Sequence, residues 1–171
     1  MWQIRDERAK DAKKVKQLVN ACFGAGRFAK TAYRLREEIQ PVHGLSFVAT
    51  DNKSLKLLGS VRFTIIDIGG TPSLLLGPLA VLPELRGKGI GISLMKRGIQ
   101  EAQARGHESV ILVGDVPYYS KVGFGQIPPR RISMPGPVDP ARLLGRSLKP
   151  GALEKLSGDV VRVSTDIPAS A

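Results

Sequence analysis

The sequence predicts an α+β layered fold, and three observations predict it. Apolar residues recur at helical spacing early in the chain, at Val15, Leu18, Val19 and Cys22. From residue 45 to 81 the pattern changes to β-branched and aromatic runs separated by turn residues. Helical spacing then returns at Leu94, Met95, Gly98, Ile99 and Ala102. The resulting order is strand, two helices, three antiparallel strands, helix, strand, short helix, strand, in which sheet and helices bury one another's apolar faces.

Each element has a local reason. Gln3-Ile4-Arg5 makes a short opening strand. The stripe from Val15 to Cys22 is the apolar face of a helix whose other face carries Lys10, Lys13, Lys14 and Lys16; Gly24 and Gly26 end it. "FAKTAYRLREEIQ", residues 28–40, offers a second helix, stopped before Pro41 because proline disfavours helical backbone in the residue ahead of it. "LSFVAT" (45–50) and "LLGSVRFTIIDI" (57–68) are strands joined by turn residues Asp51, Asn52 and Ser54. Gly69-Gly70 supplies the positive φ angles of a tight hairpin that returns the chain into "SLLLGPLAV" (73–81). After a glycine-rich bend the helix of Leu94 and Met95 runs to Arg105-Gly106, with Gly98 small enough for close packing on a sheet. "SVILVG" (109–114) is a buried strand, "PYYSKV" (117–122) one or two helical turns, and "GFGQI" (123–127) a further extended segment. Six prolines from Pro128 to Pro150 mark an irregular region, and "GALEKLSGDVVRV" closes with a short helix and strand. We read residues 1–171 as one domain, with 128–171 as an irregular extension of it.

Composition narrows the function. A chain of 171 residues is long enough to bury roughly 70% of its unfolded surface in one core. No apolar run approaches the roughly 20 residues that span a bilayer, and the N-terminus is charged where a signal peptide would be apolar; the expected location is cytoplasmic. Cys22 stands alone, so no intramolecular disulfide forms, and with only His43 and His107 besides it no metal site is expected. Lysines and arginines number 26 against 15 acidic residues, a formal charge of +11, which favours an anionic partner. Arg130, Arg131, Arg142, Arg146 and Lys149 add to this near the end of the chain. Aromatic residues are only 5% of the chain, too few for the stacking platforms of a single-strand binder, so nucleic acid is not the expected partner.

The bend itself is "LAVLPELRGKGIGISLM", residues 79–95. A nucleotide P-loop needs Ser or Thr after its lysine, and Lys88 is followed by Gly89. The dinucleotide fingerprint needs a different glycine spacing. What survives is Arg86, Gly87, Lys88, Gly89, Ile90, Gly91: glycines that let successive backbone N–H groups turn inward, with a helix N-terminus behind them, the makings of a diphosphate cradle.

This stretch, followed by "YYSKVGF" (118–124), resembles the GNAT superfamily of acetyl-CoA-dependent N-acyltransferases over roughly residues 2–127. With "AKTAYRLRE", "VGDVPYYSKVGF" and "LKPGALEKLSG", the chain looks like the YhbS-like branch of predicted bacterial N-acetyltransferases. The resemblance implies a three-layer α/β/α form of the α+β fold: a mixed, mostly antiparallel central sheet, helices on both faces, and a parallel pair, "LLLGPLAV" with "SVILVG", that splays where the cofactor enters. It implies acetyl-CoA as co-substrate, with the backbone of Leu79, Ala80 and Val81 pairing with the pantetheine arm. Gly87, Lys88, Gly89, Ile90, Gly91 and Ile92 would then hold the pyrophosphate and Arg86 shape the loop entrance. Gly77-Pro78 suits a bulge in that strand.

Transfer of acetyl to an amine needs a donor for the carbonyl oxygen, a proton for the thiolate and a route for the amine's proton. The resemblance makes a backbone N–H near Val81 the oxyanion donor and Tyr119, five residues before Phe124, the acid, with Tyr118 at a packing position. The strands that often carry a glutamate base in relatives contain no carboxylate here. Asp115 is the nearest candidate base and equally a helix cap; Glu37 and Glu38 on the second helix and a water chain are the other routes. His43 and His107 read as structural or exposed. Acceptor recognition is expected from the second helix, the loop 40–45 and the tail after Pro128. The expected activity is acetyl-CoA-dependent N-acetylation of a small-molecule or protein amine, by a monomer or homodimer. The alternatives are a longer-chain acyltransferase fed by acyl-CoA or acyl carrier protein, whose acidic surface suits the charge, and a non-catalytic module binding acyl-CoA or an anionic polymer.

Overall fold

Side-chain alternation along Phe47-Val48-Ala49 sets the layers. Phe47 and Ala49 face a core shared with Leu94 and Met95, whereas Val48 faces a second core with Val15, Leu18 and Val19, as the period of two in a strand requires. A helix on each face therefore buries one side of the same sheet. A computed structural model describes residues 1–24, 30–37 and 39–163. Its elements run β1 (Trp2–Asp6), α1 (Ala12–Phe23), α2 (Thr31–Arg36), β2 (Ser46–Asp51), β3 (Leu57–Ile68), β4 (Thr71–Val81), α3 (Ile90–Ala104), β5 (Ser109–Val113), α4 (Val116–Tyr119), β6 (Gly125–Gln126), β7 (Ile132–Ser133), β8 (Leu143–Ser147) and β9 (Gly158–Arg162).

The strand order is β1-β2-β3-β4-β5-β8-β6. Neighbours along it are antiparallel except β4 and β5, which are parallel. The α+β architecture with helices on both faces is thus observed. The far end of β3, beyond its pairing with β2, takes β9 as partner through Ile66–Ile68. A third core lies there, where Leu35 of α2 meets Ile66, Leu75, Ile111 and Val160. Gly98 does pack closely: a Cβ at that position would collide with the Phe63 ring.

Two expectations are corrected. The second helix ends at Arg36 rather than reaching Gln40, because Glu37 turns extended, with ψ 126°. Six residues cannot sustain a helix by propensity, so α2 is held by burial of Thr31 and Leu35. The beginning proposed for that helix, like Gly26 and Glu38, falls outside the described residues. The second correction concerns the proline-rich tail. Residues 143–147 form β8, which fills the sheet between β5 and β6, with Leu143 and Leu144 buried.

Candidate active site

Parallel pairing between β4 and β5 stops early. Leu74 pairs with Val110 and Leu75 with Ile111, and beyond them the strands separate. The departure coincides with a register shift: Phe63 opposes Leu76 but Val61 opposes Leu79, so β4 carries an extra residue at Gly77-Pro78. The Gly77-Pro78 peptide is cis and Gly77 has φ 133°, in the region that favours glycine. Among the described residues no strand pairs with the β5-facing edge of β4 from Leu79 to Val81.

The chain leaves this edge through a single turn at Pro83–Leu85 and enters the glycine bend. Gly87 (φ 81°) and Gly89 (φ 89°) are both left-handed, and Gly89 is the N-cap of α3. Apart from their own chain neighbours, no described residue comes within 4 Å of where a Cβ would stand on either, and both are exposed. Arg86 and Lys88 flank them, exposed. Behind the bend the first amides of α3, at Ile90, Gly91 and Ile92, have no intrahelical acceptor, and the helix brings the positive end of its dipole. Gly91 is helical and buried; a Cβ there would strike the Tyr118 hydroxyl. Left-handed glycines, orphan amides and two cations make a cradle of donors and positive charge suited to an anion.

Cradle and splayed edge border one cavity of about 1170 Å³. Tyr118, Tyr119, Asp115, Cys22 and Arg36 also line it. Tyr119 stacks edge-on with Tyr118 and with Phe124, at centroid distances of 5.0 and 6.3 Å. Its ring lies over Gly114, where a Cβ would overlap it. Burial, reinforced by Tyr118 and Asp115, pushes the Tyr119 hydroxyl up to about 12; burial also raises Tyr118.

Asp115 stands at the N-cap position of α4 but its side chain makes no cap bond. It instead accepts from Arg142 Nε at 3.2 Å, and is 74% exposed. Glu37 is exposed at the cavity rim. His43 is exposed, and burial and Arg105 lower the His107 imidazole. Cys22 is half-buried rather than buried, its thiol donating to the Val81 carbonyl at 3.3 Å. Among the described residues no cluster of three His, Cys, Asp or Glu is arranged to hold a metal ion, and no helix is long and apolar enough to cross a membrane.

The largest surprise is Arg36. Its place in "RLRE" suggests a solvent-facing charge, yet it lines the cavity against Gly77. Burial lowers its pKa from 12.5 to about 10. Nothing in the local spacing marks it, because the wall that encloses it is formed by β4, some forty residues away.

The chain is similar to known proteins in both sequence and fold. Residues 12–124 match the model of the acetyltransferase (GNAT) family. YhbS of Escherichia coli (strain K12), described as an uncharacterized N-acetyltransferase, is 33% identical over 123 residues, covering 71% of this chain and 72% of that protein. A crystal structure of the E. coli YhbS in complex with CoA superposes with a TM-score of 0.80 at 27% identity, over 95% of this chain and 89% of the other. A GNAT family acetyltransferase from Brucella melitensis in complex with acetyl-CoA gives a TM-score of 0.72 at 27% identity, over 96% and 97% of the two chains. On a family match that spans well over half of its length, with a glycine cradle set beside a splayed parallel pair, the chain belongs to the acetyltransferase (GNAT) family of N-acetyltransferases.

Proposed function

We propose that this chain transfers acetyl from acetyl-CoA to a primary amine by direct attack. The observation that carries the reading is the separation of β4 from β5 beyond Leu75 and Ile111, with the open glycine cradle at one end of the freed edge and Tyr119 in the same cavity. Bound acetyl-CoA supplies an acetyl thioester, in which the C–S bond breaks as the C–N bond forms. The amides of residues 87–92 hold the diphosphate, with Arg86 and Lys88 beside them. The backbone of Leu79, Ala80 and Val81 orients the arm as an added strand would. A backbone N–H near Val81 donates to the carbonyl oxygen as charge develops there, a contribution of roughly 3–4 kcal/mol in related chemistry.

Tyr119 holds its proton at every physiological pH. The desolvation that raises the phenol also raises the basicity of a thiolate formed in the same cavity, so the two remain matched for a hydrogen bond and proton transfer. For the amine, Asp115 is a poor base: it faces solvent and is tied to Arg142. Water in the open cavity carries the amine's proton to bulk.

The purified protein is expected to release CoA from acetyl-CoA only when an amine is present. A thiol-reactive chromophore reads the release, and acyl-CoA substrates of increasing length in the same assay read the acyl preference. Acetyl-CoA binding with no transfer to any amine would support the non-catalytic alternative.

A further inference from the structure

Arg36 Nη1 presses on the bulge of β4: a Cβ on Gly77 would meet it at 2.7 Å. Both residues line the cavity. Among the described residues no carboxylate pairs with this guanidinium; the Tyr33 phenol acts on it only by a weaker electrostatic effect than burial. Two other arginines on the cavity wall are already engaged, Arg62 by Glu7 and Arg142 by Asp115. Arg36 keeps part of its surface exposed, and a charge that is partly desolvated without a counter-ion is still costly. The planar fork of five donors matches the two oxygens of a carboxylate.

Position distinguishes this group from the diphosphate cradle. The cradle begins beyond Val81, while Gly77 lies four residues before it, about 13 Å along an extended strand. A cofactor arm running back from the cradle along Leu79–Val81 brings its thioester toward the bulge, where Arg36 waits. The anion that Arg36 lacks thus belongs to the acceptor, not to the cofactor.

Resting on the reading above, we propose that Arg36 selects the acceptor by binding its carboxylate, and that the acceptor class is small amines bearing a free carboxylate, amino acids above all. Arg36 takes no part in the bond changes. The amine nitrogen bonds to the acetyl carbon as the C–S bond breaks, the sulfur takes its proton from Tyr119, and the amine proton passes to water, which returns a proton to Tyr119.

The test uses the purified full chain. Calorimetry with acetyl-CoA comes first; failure to bind would bring down the reading of the previous section, and with it this one. Next, the proteinogenic amino acids are compared with their C-terminal amides by CoA release. The free acids are expected to exceed the amides in kcat/KM by about 10- to 100-fold, the range of a hydrogen-bonded charge pair. In Arg36→Gln that ratio is expected to fall to about one, with acetyl-CoA affinity unchanged. Arg36→Lys, which returns the charge without the fork, is expected to recover part of it and guards against a glutamine variant that fails to fold. With acetyl-CoA bound normally, three results would each overturn the assignment and leave the acetyltransferase reading standing or falling on its own assay: amides used as well as acids, a preference that survives in Arg36→Gln, or no amino acid accepted.

Discussion

Tyr119 shows how one residue's surroundings dictate its chemistry. Gly114 leaves room for its ring, Tyr118 and Phe124 hold it edge-on, and burial raises its hydroxyl to about 12. A phenol shifted upward stays protonated through neutral and moderately alkaline pH, so an acid in this role imposes no descending limb on a rate profile below about pH 10. The profile of kcat/KM is accordingly expected to rise with deprotonation of the amine and then level. Tyr119→Phe preserves the ring and removes the proton. Its turnover is expected to fall by about 10²- to 10⁴-fold, the usual span for a positioned acid, with acetyl-CoA affinity unchanged in calorimetry and the rising limb still present. Equal loss in turnover and affinity would make Tyr119 a binding residue instead.

Among the elements, the junction of β4, the glycine bend and α3 is the most sensitive to substitution. Gly89 holds φ 89° with open space around it, so Gly89→Glu meets no clash and costs about 1–2 kcal/mol of backbone strain. Its carboxylate would stand where the proposed function puts the diphosphate, and acetyl-CoA binding is expected to vanish while the circular dichroism spectrum is kept; unchanged affinity would exclude this bend. A second junction ties β1 to the start of α1. Arg5 donates to both Asp11 oxygens, at 2.7 and 3.0 Å, and the Arg8 amide donates at 2.7 Å. The Arg5 hydrogen bonds first, then that amide, hold the Asp11 carboxyl down at about 2 from 3.8. A lowered carboxylate contributes stability above its unfolded value and loses it as pH falls toward 2. Asp11→Asn is therefore expected to cost about 1–2 kcal/mol at pH 7 in urea titrations, and to differ least from the parent at the lowest pH that leaves it folded. The sequence reveals these elements unevenly, for a physical reason. Two-faced elements report their burial by spacing, which is why α1, α3 and β2 to β4 are readable, as are the Gly69-Gly70 hairpin and the bend. β8 is five residues with Gly145 at its centre, lying between Pro140 and Pro150, and it exists because β5 and β6 pair with it. The end of α2 and the partial burial of Arg36 are likewise set by distant chain.

On the scale of the whole molecule the dominant fact is charge. The formal +11 is spread over exposed positions that include Lys10, Lys13, Lys14 and Lys16 on the outer face of α1 and its approach, and Arg86 and Lys88 at the cradle. Lys16 and Arg86 line the cavity, whereas Lys10, Lys13 and Lys14 do not, but the summed field of all of them reaches a ligand that approaches it. That field draws in an anion such as acetyl-CoA and adds little for a neutral molecule. Salt separates the long-range part from the contacts, since screening shortens from about 10 Å at 0.1 M to about 3 Å at 1 M. Raising the salt from about 0.05 to about 0.5 M is expected to weaken acetyl-CoA binding about tenfold, mostly through slower association. S-acetylpantetheine lacks the phosphates yet can still pair with the freed edge of β4, and its affinity should hardly move. Stopped-flow association rates for the two ligands across this salt range check the expectation. Equal salt dependence for both would place the cofactor's phosphates away from the basic bend and would leave the charge of this protein to be explained by some other anion.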